Sequence, residues 1–148
     1  MAPRPALAGA REPAAGVTVY RWVDHTAELE LHIDAPAPED VFADALAALG
    51  ELLDDEGQGA YVVCEVGAVA ADRPALLATW MDELLYLAER EQLIPRGLER
   101  LELGPGRVRA TVRARPGAPA PRVKGVTYHN LAFGDGGGAC HATVVLDV

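Results

Sequence analysis

Lysine is nearly absent from this chain of 148 residues: Lys124 is the only one, and arginine supplies the rest of the 13 basic residues, against 22 acidic ones. The formal net charge of -9 argues against a protein that holds RNA or DNA strongly by itself, because such affinity comes mainly from neutralised phosphates. Cysteine is scarce as well. Cys64 and Cys140 form neither a CxxC pair nor the even framework of a small secreted domain. Both are therefore expected as reduced thiols in a reducing compartment, and neither stands in the context of a catalytic nucleophile. No run of about twenty apolar residues occurs, and the Ala-rich opening "MAPRPALAGAREPAAG" is interrupted by prolines and charges where a signal peptide needs a continuous apolar stretch. The expectation is a cytoplasmic protein without a membrane span.

What is present suffices for one core: 50% of the residues are hydrophobic, in a chain too short for two comfortable cores. Residues 1–16, rich in Ala and Pro and without period, are expected to be a disordered extension, and residues 17–148 a single domain. "VTVYRW" and "LELHIDA" read as strands. The second alternates strictly, with Leu29, Leu31 and Ile33 on one side and Glu28, Glu30, His32 and Asp34 on the other, as a half-buried antiparallel strand requires. "PEDVFADALAALGELL" carries Val41, Phe42, Ala45, Leu46 and Leu49 at helical spacing, with Glu39 and Asp40 in the first turn, where they suit the helix dipole. "DDEGQG" breaks it and "YVVCEVGAV" reads as a strand. Asp72 followed by Pro74 predicts an N-cap and a proline in the first turn of a second helix, "PALLATWMDELLYLAERE", ending before Pro95. Strands are expected at "LERLEL", "RVRATVRA", "KGVTYHNLAF" and "ACHATVVLDV", with turns at "GPG" and "GDGGG". Two helices on six or seven mostly antiparallel strands make an α+β fold, since the strands are not interleaved one by one with helices.

Three acidic positions stand out on this map. Glu83 lies three residues after Trp80 and four before Leu87, on a stripe expected to face the core, where an acid needs a partner unless it snorkels to water. Asp147 sits beside the carboxylate of Val148 in a strand whose other face carries Ala142, Val144 and Leu146; it reads either as a solvated strand end or as part of a hard-cation site. Glu28, with Asp24 nearby, reads alone as a solvent-facing strand edge. His25, His129 and His141, with Cys140 beside the last, match no zinc-finger or HExxH spacing. "GDGGG" lies between strands, with no helix N-terminus to meet a phosphate, and is read as a hairpin turn.

"DHTAELELHIDA" followed by an amphipathic helix, "LLATWMDELLYL" in a second helix, "KGVTYHNLAF", and the segment "VVLDV" together resemble the archease family, in that family's order, over about residues 18–148. The resemblance implies a non-catalytic accessory factor for the GTP-dependent RNA ligase that joins a 3′-phosphate or 2′,3′-cyclic phosphate end to a 5′-hydroxyl. Such factors promote guanylylation of the ligase's active-site histidine and restore multiple turnover in tRNA splicing and RNA repair. The family's metal-site acids map onto Glu28 and Asp147, its helical glutamate onto Glu83, and the lysine before "VTYH" onto Lys124. The resemblance thus implies a cluster of Glu28, Glu83 and Asp147, with the Val148 carboxylate as a further ligand, and Asp24, His25, Lys124 and His129 as functional neighbours. An oxygen-only set favours Ca2+ or Mg2+ over zinc. Lys124 suits pairing with the cluster or contact with a phosphate as a point charge, and otherwise reads as a surface lysine.

Three departures from the family pattern stand out. Glu28 occupies a position usually held by aspartate, and its extra methylene moves the carboxylate by about 1.5 Å. The stretch "RPGAPAPR" before the lysine is short and proline-rich, and "PAPED" replaces a Ser-led helix start. Two readings compete with the accessory factor. One is a metal-dependent hydrolase on the same carboxylates, with His25 or His129 as general base; the other is a general protein chaperone. A hydrolase acts on RNA alone, a chaperone needs no GTP, and an accessory factor needs the ligase. Nothing in the sequence fixes an oligomeric state.

Overall fold

The computed structural model of the protein describes residues 19–54, 59–136 and 138–148. The extension expected at 1–16, residues 55–58 of the break after the first helix, and Gly137 lie outside the described residues. Among them the order is β1 (Val19–His25), β2 (Glu28–Ala35), α1 (Pro38–Leu53), β3 (Val62–Val69), α2 (Arg73–Glu91), β4 (Leu93–Leu103), β5 (Arg107–Pro116), β6 (Gly125–Gly136) and β7 (Ala139–Asp147). This is the expected α+β class, but the strands divide into two sheets rather than one. A four-stranded sheet has the order β1-β2-β7-β6 and a three-stranded sheet the order β3-β5-β4, with every pairing antiparallel. Helix α1 packs mainly on β4, α2 and β2, and α2 packs on β6, β3 and β4, so the helices join the two sheets. No described helix is long and apolar enough to cross a membrane.

Local chemistry sets the helix ends. Asp72 accepts a hydrogen bond from the Ala75 N–H at 2.9 Å, satisfying one of the free donors at the start of α2. At its other end Gln92 takes a left-handed conformation (φ 56°) and donates its N–H to the Leu87 carbonyl. The chain leaves that cap directly into β4 at Leu93. The strand therefore starts five residues before "LERLEL" and contains Pro95, which an edge strand tolerates because one side of it needs no ladder donor. At the far end, β6 keeps Gly134, Asp135 and Gly136 in register with His141, Cys140 and Ala139. The hairpin turn is correspondingly tighter than "GDGGG", with Gly138 at φ 79°.

The inward faces of the sheets meet the helices in one core, in which Trp80, Phe42, Leu31, Ile33 and Leu46 are fully buried. Each such aliphatic side chain contributes about 1.5–3 kcal/mol relative to exposure. Trp80 donates its Nε1–H to the Phe42 carbonyl at 3.0 Å and packs its ring at a tilt 6.2 Å from that of Phe42. The proline-rich segment before β6 is tied to the domain: the Gly117 N–H reaches the Gln92 carbonyl and the Ala120 N–H the Leu53 carbonyl, both at 2.9 Å. Ala120 and Val123 are buried.

Candidate functional site: an acid pair on the outer face of the four-stranded sheet

The alternation of β2 turns Leu31, Ile33 and Ala35 into the core and leaves Glu28, Glu30, His32 and Asp34 on the outer face. Register then aligns a row across all four strands. His25 of β1 faces Glu28 of β2, Glu28 faces Asp147 of β7, and Asp147 faces Gly125 of β6. Side chains directly opposite in an antiparallel pair share a face with Cβ atoms about 4.5–5.5 Å apart, and two like charges so opposed are unfavourable. The row therefore holds two carboxylates against each other, beside a glycine that leaves open space on the Asp147 side.

The backbone around this pair is pinned. Ala27, in the two-residue turn between β1 and β2, has φ 63° and accepts a hydrogen bond from the Val148 N–H at 3.1 Å. The Lys124 N–H donates to the Asp147 carbonyl at 2.7 Å. Between Thr127 and Ala132 the β6–β7 register slips, with Asn130 at φ 57°, and this bulge brings His129 over the row. Its Nε2 lies 3.2 Å from the Glu28 carboxylate and its Nδ1 2.8 Å from the Thr127 hydroxyl, so both ring nitrogens are engaged. The neighbouring Tyr128 hydroxyl meets that of Thr79 on α2 at 3.1 Å, bracing the bulge against the helix.

Beyond the row, all four histidines of the chain stand against carboxylates on this outer face. His25 and His32 lie 3.1 and 2.9 Å from Glu30, His129 meets Glu28, and His141 hydrogen-bonds Asp34. The hydrogen bond from His32, helped by the nearby charge of His25, holds the Glu30 carboxyl below the usual value despite a smaller opposing effect of burial. Sequence reasoning assigned no role to Glu30, His32 or Asp34, although the strict alternation of β2 already set them on the face of Glu28. The thiols are elsewhere: Cys140 is buried, and burial followed by the charge of Glu65 pushes the Cys64 thiol up.

The other expected residues fall differently. Asp24 faces Leu29 across the hairpin and so belongs to the opposite side of the sheet from Glu28, exposed at its end. Glu83 does not face the core. The buried stripe of α2 runs through Leu77, Trp80, Met81, Leu84 and Ala88, and Glu83, one residue short of Leu84, sits off its edge in solvent. There it shares a groove with Lys124, Gly125, Tyr86 and Arg90, whose guanidinium lies 5.5 Å from the Tyr86 ring centre. Since Gly125 is the β6 neighbour of Asp147, this groove adjoins the acid row. Among the described residues, no three His, Cys, Asp or Glu side chains are gathered to hold a metal ion, so the three-carboxylate cluster is here a pair with Glu83 to one side. The two carboxylates that register sets opposite each other are hard oxygen donors of the kind calcium and magnesium take.

The model of the Archease protein family matches residues 20–148. Protein archease of Methanosarcina mazei is 28% identical over 139 residues, covering 87% of this chain and 95% of that protein. Protein archease of Methanopyrus kandleri is 29% identical over 138 residues, covering 87% and 99%. Among solved structures, the solution structure of Methanobacterium thermoautotrophicum protein 1598 superposes with a TM-score of 0.62 at 23% identity, over 87% of this chain and 98% of that one. The crystal structure of an archease from Thermotoga maritima, described as a "possible chaperone", gives 0.60 at 19% identity, over 93% and 97%. These two likenesses establish the shared fold. With a family match spanning every described strand and helix but the first residue of β1, the chain belongs to the archease family.

Proposed function

We propose that this protein is a non-catalytic accessory factor of a GTP-dependent RNA ligase, promoting guanylylation of the ligase and its multiple turnover in tRNA splicing or RNA repair. The observation that carries the reading is the direct opposition of Glu28 and Asp147 across β2 and β7. Two carboxylates set directly opposite, with His129 beside Glu28 and no lysine or arginine partner among the described residues, repel modestly, and a cation or a cationic partner surface relieves that repulsion. In this reading Glu28 and Asp147 would hold Ca2+ or Mg2+, which would supply neutralisation of nucleotide phosphate charge. His129, engaged by Thr127, orients the Glu28 carboxylate. Lys124 and Glu83 line the adjoining groove, where the lysine meets a phosphate and the glutamate a cation or basic group of the ligase. The net charge of -9 keeps RNA binding with the ligase.

The decisive experiment follows ligase guanylylation over many turnovers with GTP and metal, comparing no addition, the native chain and Asp147→Ala. Acceleration by the native chain that the folded variant lacks is the expected result. No acceleration of a cognate ligase overturns the proposal. A second reading, a chaperone, has the description of the Thermotoga neighbour in its favour. It predicts protection of the ligase from aggregation without GTP, undiminished by Asp147→Ala.

A further inference from the structure

Strand β3 is an edge of the three-stranded sheet, and its composition is unusual for an edge. Among the described residues seven large hydrophobic side chains are exposed, and four of them, Tyr61, Val62, Val63 and Val69, lie in or beside β3. Natural edges are ordinarily blunted by lysine, proline or several charges, whereas β3 carries the single charge of Glu65. The even-numbered residues direct their backbone groups towards β5, since the Ala70 N–H donates to the Gly106 carbonyl just beyond the Val69–Arg107 pair. Val63, Glu65, Gly67 and Val69 therefore present their N–H and C=O groups to the open side, where no described residue pairs with them.

We infer that β3 pairs antiparallel with β3 of a second copy of this chain about a twofold axis at Val66, making one continuous six-stranded sheet. Pairing about Val66 sets Val63 opposite the other copy's Val69, twice by symmetry, so the two most exposed valines of the edge (58% and 73%) cover each other. It also sets Glu65 opposite the other copy's Gly67, avoiding the like-charge opposition that an axis at Glu65 would create. Gly67 itself faces Arg109 on β5, and a Cβ there would lie 3.7 Å from the Arg109 Cγ. With no side chain intervening, Glu65 of one copy reaches across Gly67 to Arg109 of the other. Arg109 has no ion-pair partner among the described residues, while Glu65 uses one oxygen, Oε2, to accept from the Thr111 hydroxyl at 2.7 Å and keeps the other. Charge complementarity and the self-matching valines thus select a second copy, in one register. The acid row lies on the other sheet, so such a dimer displays two of them.

The test has two parts. Sedimentation of the native chain is expected to give a mass that doubles with rising concentration, and Val69→Lys, altering a largely exposed side chain, is expected to remain monomeric with unchanged far-UV circular dichroism. Register is read by mixing Val63→Cys with Val69→Cys in a Cys64→Ala background under mild oxidation. Hydrogen-bonded antiparallel partners have Cα atoms about 5.5 Å apart, within disulfide reach, so the mixture is expected to cross-link and each variant alone to stay uncoupled. A native chain that is monomeric at all concentrations overturns the inference. So does a dimer that survives Val69→Lys, or Val63→Cys linking to itself as readily as to Val69→Cys.

Discussion

Glu28 and Asp147 face each other directly across β2 and β7, although more than a hundred residues of chain separate them. Replacing Asp147 with asparagine keeps the shape and removes the opposed charge. In EDTA, Asp147→Asn is expected to be more stable than the native chain by about 0.2–1 kcal/mol, the scale of a cross-strand pair. On the proposed function, millimolar calcium is expected to reverse the order, because only the native chain would gain from an ion that binds the folded state. Thermal melts of both proteins with EDTA and with calcium check both halves.

Gly50 sits inside α1, where alanine would ordinarily improve a helix by about 1 kcal/mol. A Cβ at this position would lie 2.1 Å from the Pro95 carbonyl oxygen of β4, which is backbone and cannot swing away. Gly50→Ala is therefore expected to destabilise by about 1–3 kcal/mol as helix and strand are forced apart. Urea unfolding measures the shift, and a gain in stability would show that α1 and β4 do not approach so closely.

Trp80 combines complete burial with a donated hydrogen bond to Phe42. Trp80→Ala is expected to cost about 3–5 kcal/mol. Trp80→Phe keeps an aromatic ring and removes this donor, while the Phe42 carbonyl keeps its place in the α1 ladder, so the variant is expected to cost about 0.5–1.5 kcal/mol for the hydrogen bond together with the loss of buried volume. Chemical denaturation of the pair separates the hydrogen bond from the ring.

The depressed pKa of Glu30 has a definite sign in stability. A carboxyl bound more weakly to its proton when folded stabilises the fold above the ordinary value of 4.5, and the contribution disappears as pH falls through the lower folded value. The stability difference between the native chain and Glu30→Gln should be present at pH 6 and close on acidification below about 4.5. A difference that widens on acidification would contradict the His32–Glu30 hydrogen bond as its source.

Local patterns in the sequence specified much of this architecture. The two helices follow from apolar spacing and from the Asp72 and proline signals, and β2 follows from its alternation. What stayed hidden depends on partners distant in sequence. Leu93 begins a strand because Gln92 can adopt a left-handed cap and because β5 offers an edge to Pro95, neither of which the residues 92–97 announce alone. The division into two sheets is likewise a matter of which strands pair, and alternation is blind to pairing. In the candidate site, Glu28 and Asp147 were singled out as acids at strand ends, but their being opposite is a property of register. For Glu83, spacing of three and four residues from Trp80 and Leu87 marks only a neighbourhood; the stripe itself passes through Leu84, and the carboxylate takes the water-facing alternative. His129 reaches Glu28 only through the bulge in β6, which no local signal marks.

The order β1-β2-β7-β6 also governs how the molecule acquires its shape. The β1–β2 hairpin can form early from a tight turn, yet its inner edge must wait for β7, which is the most distant strand in the chain. Closing so long a loop before any contact rewards it slows folding relative to a chain held by local contacts. A chain in which β2 waited for β7 would expose an unpaired edge with Leu31 and Ile33 uncovered, surface of the sort that aggregates when concentrated. Expression yield and refolding recovery of this protein should therefore be limited by the arrival time of one strand, and should respond more to temperature and concentration during folding than to the stability of the finished domain.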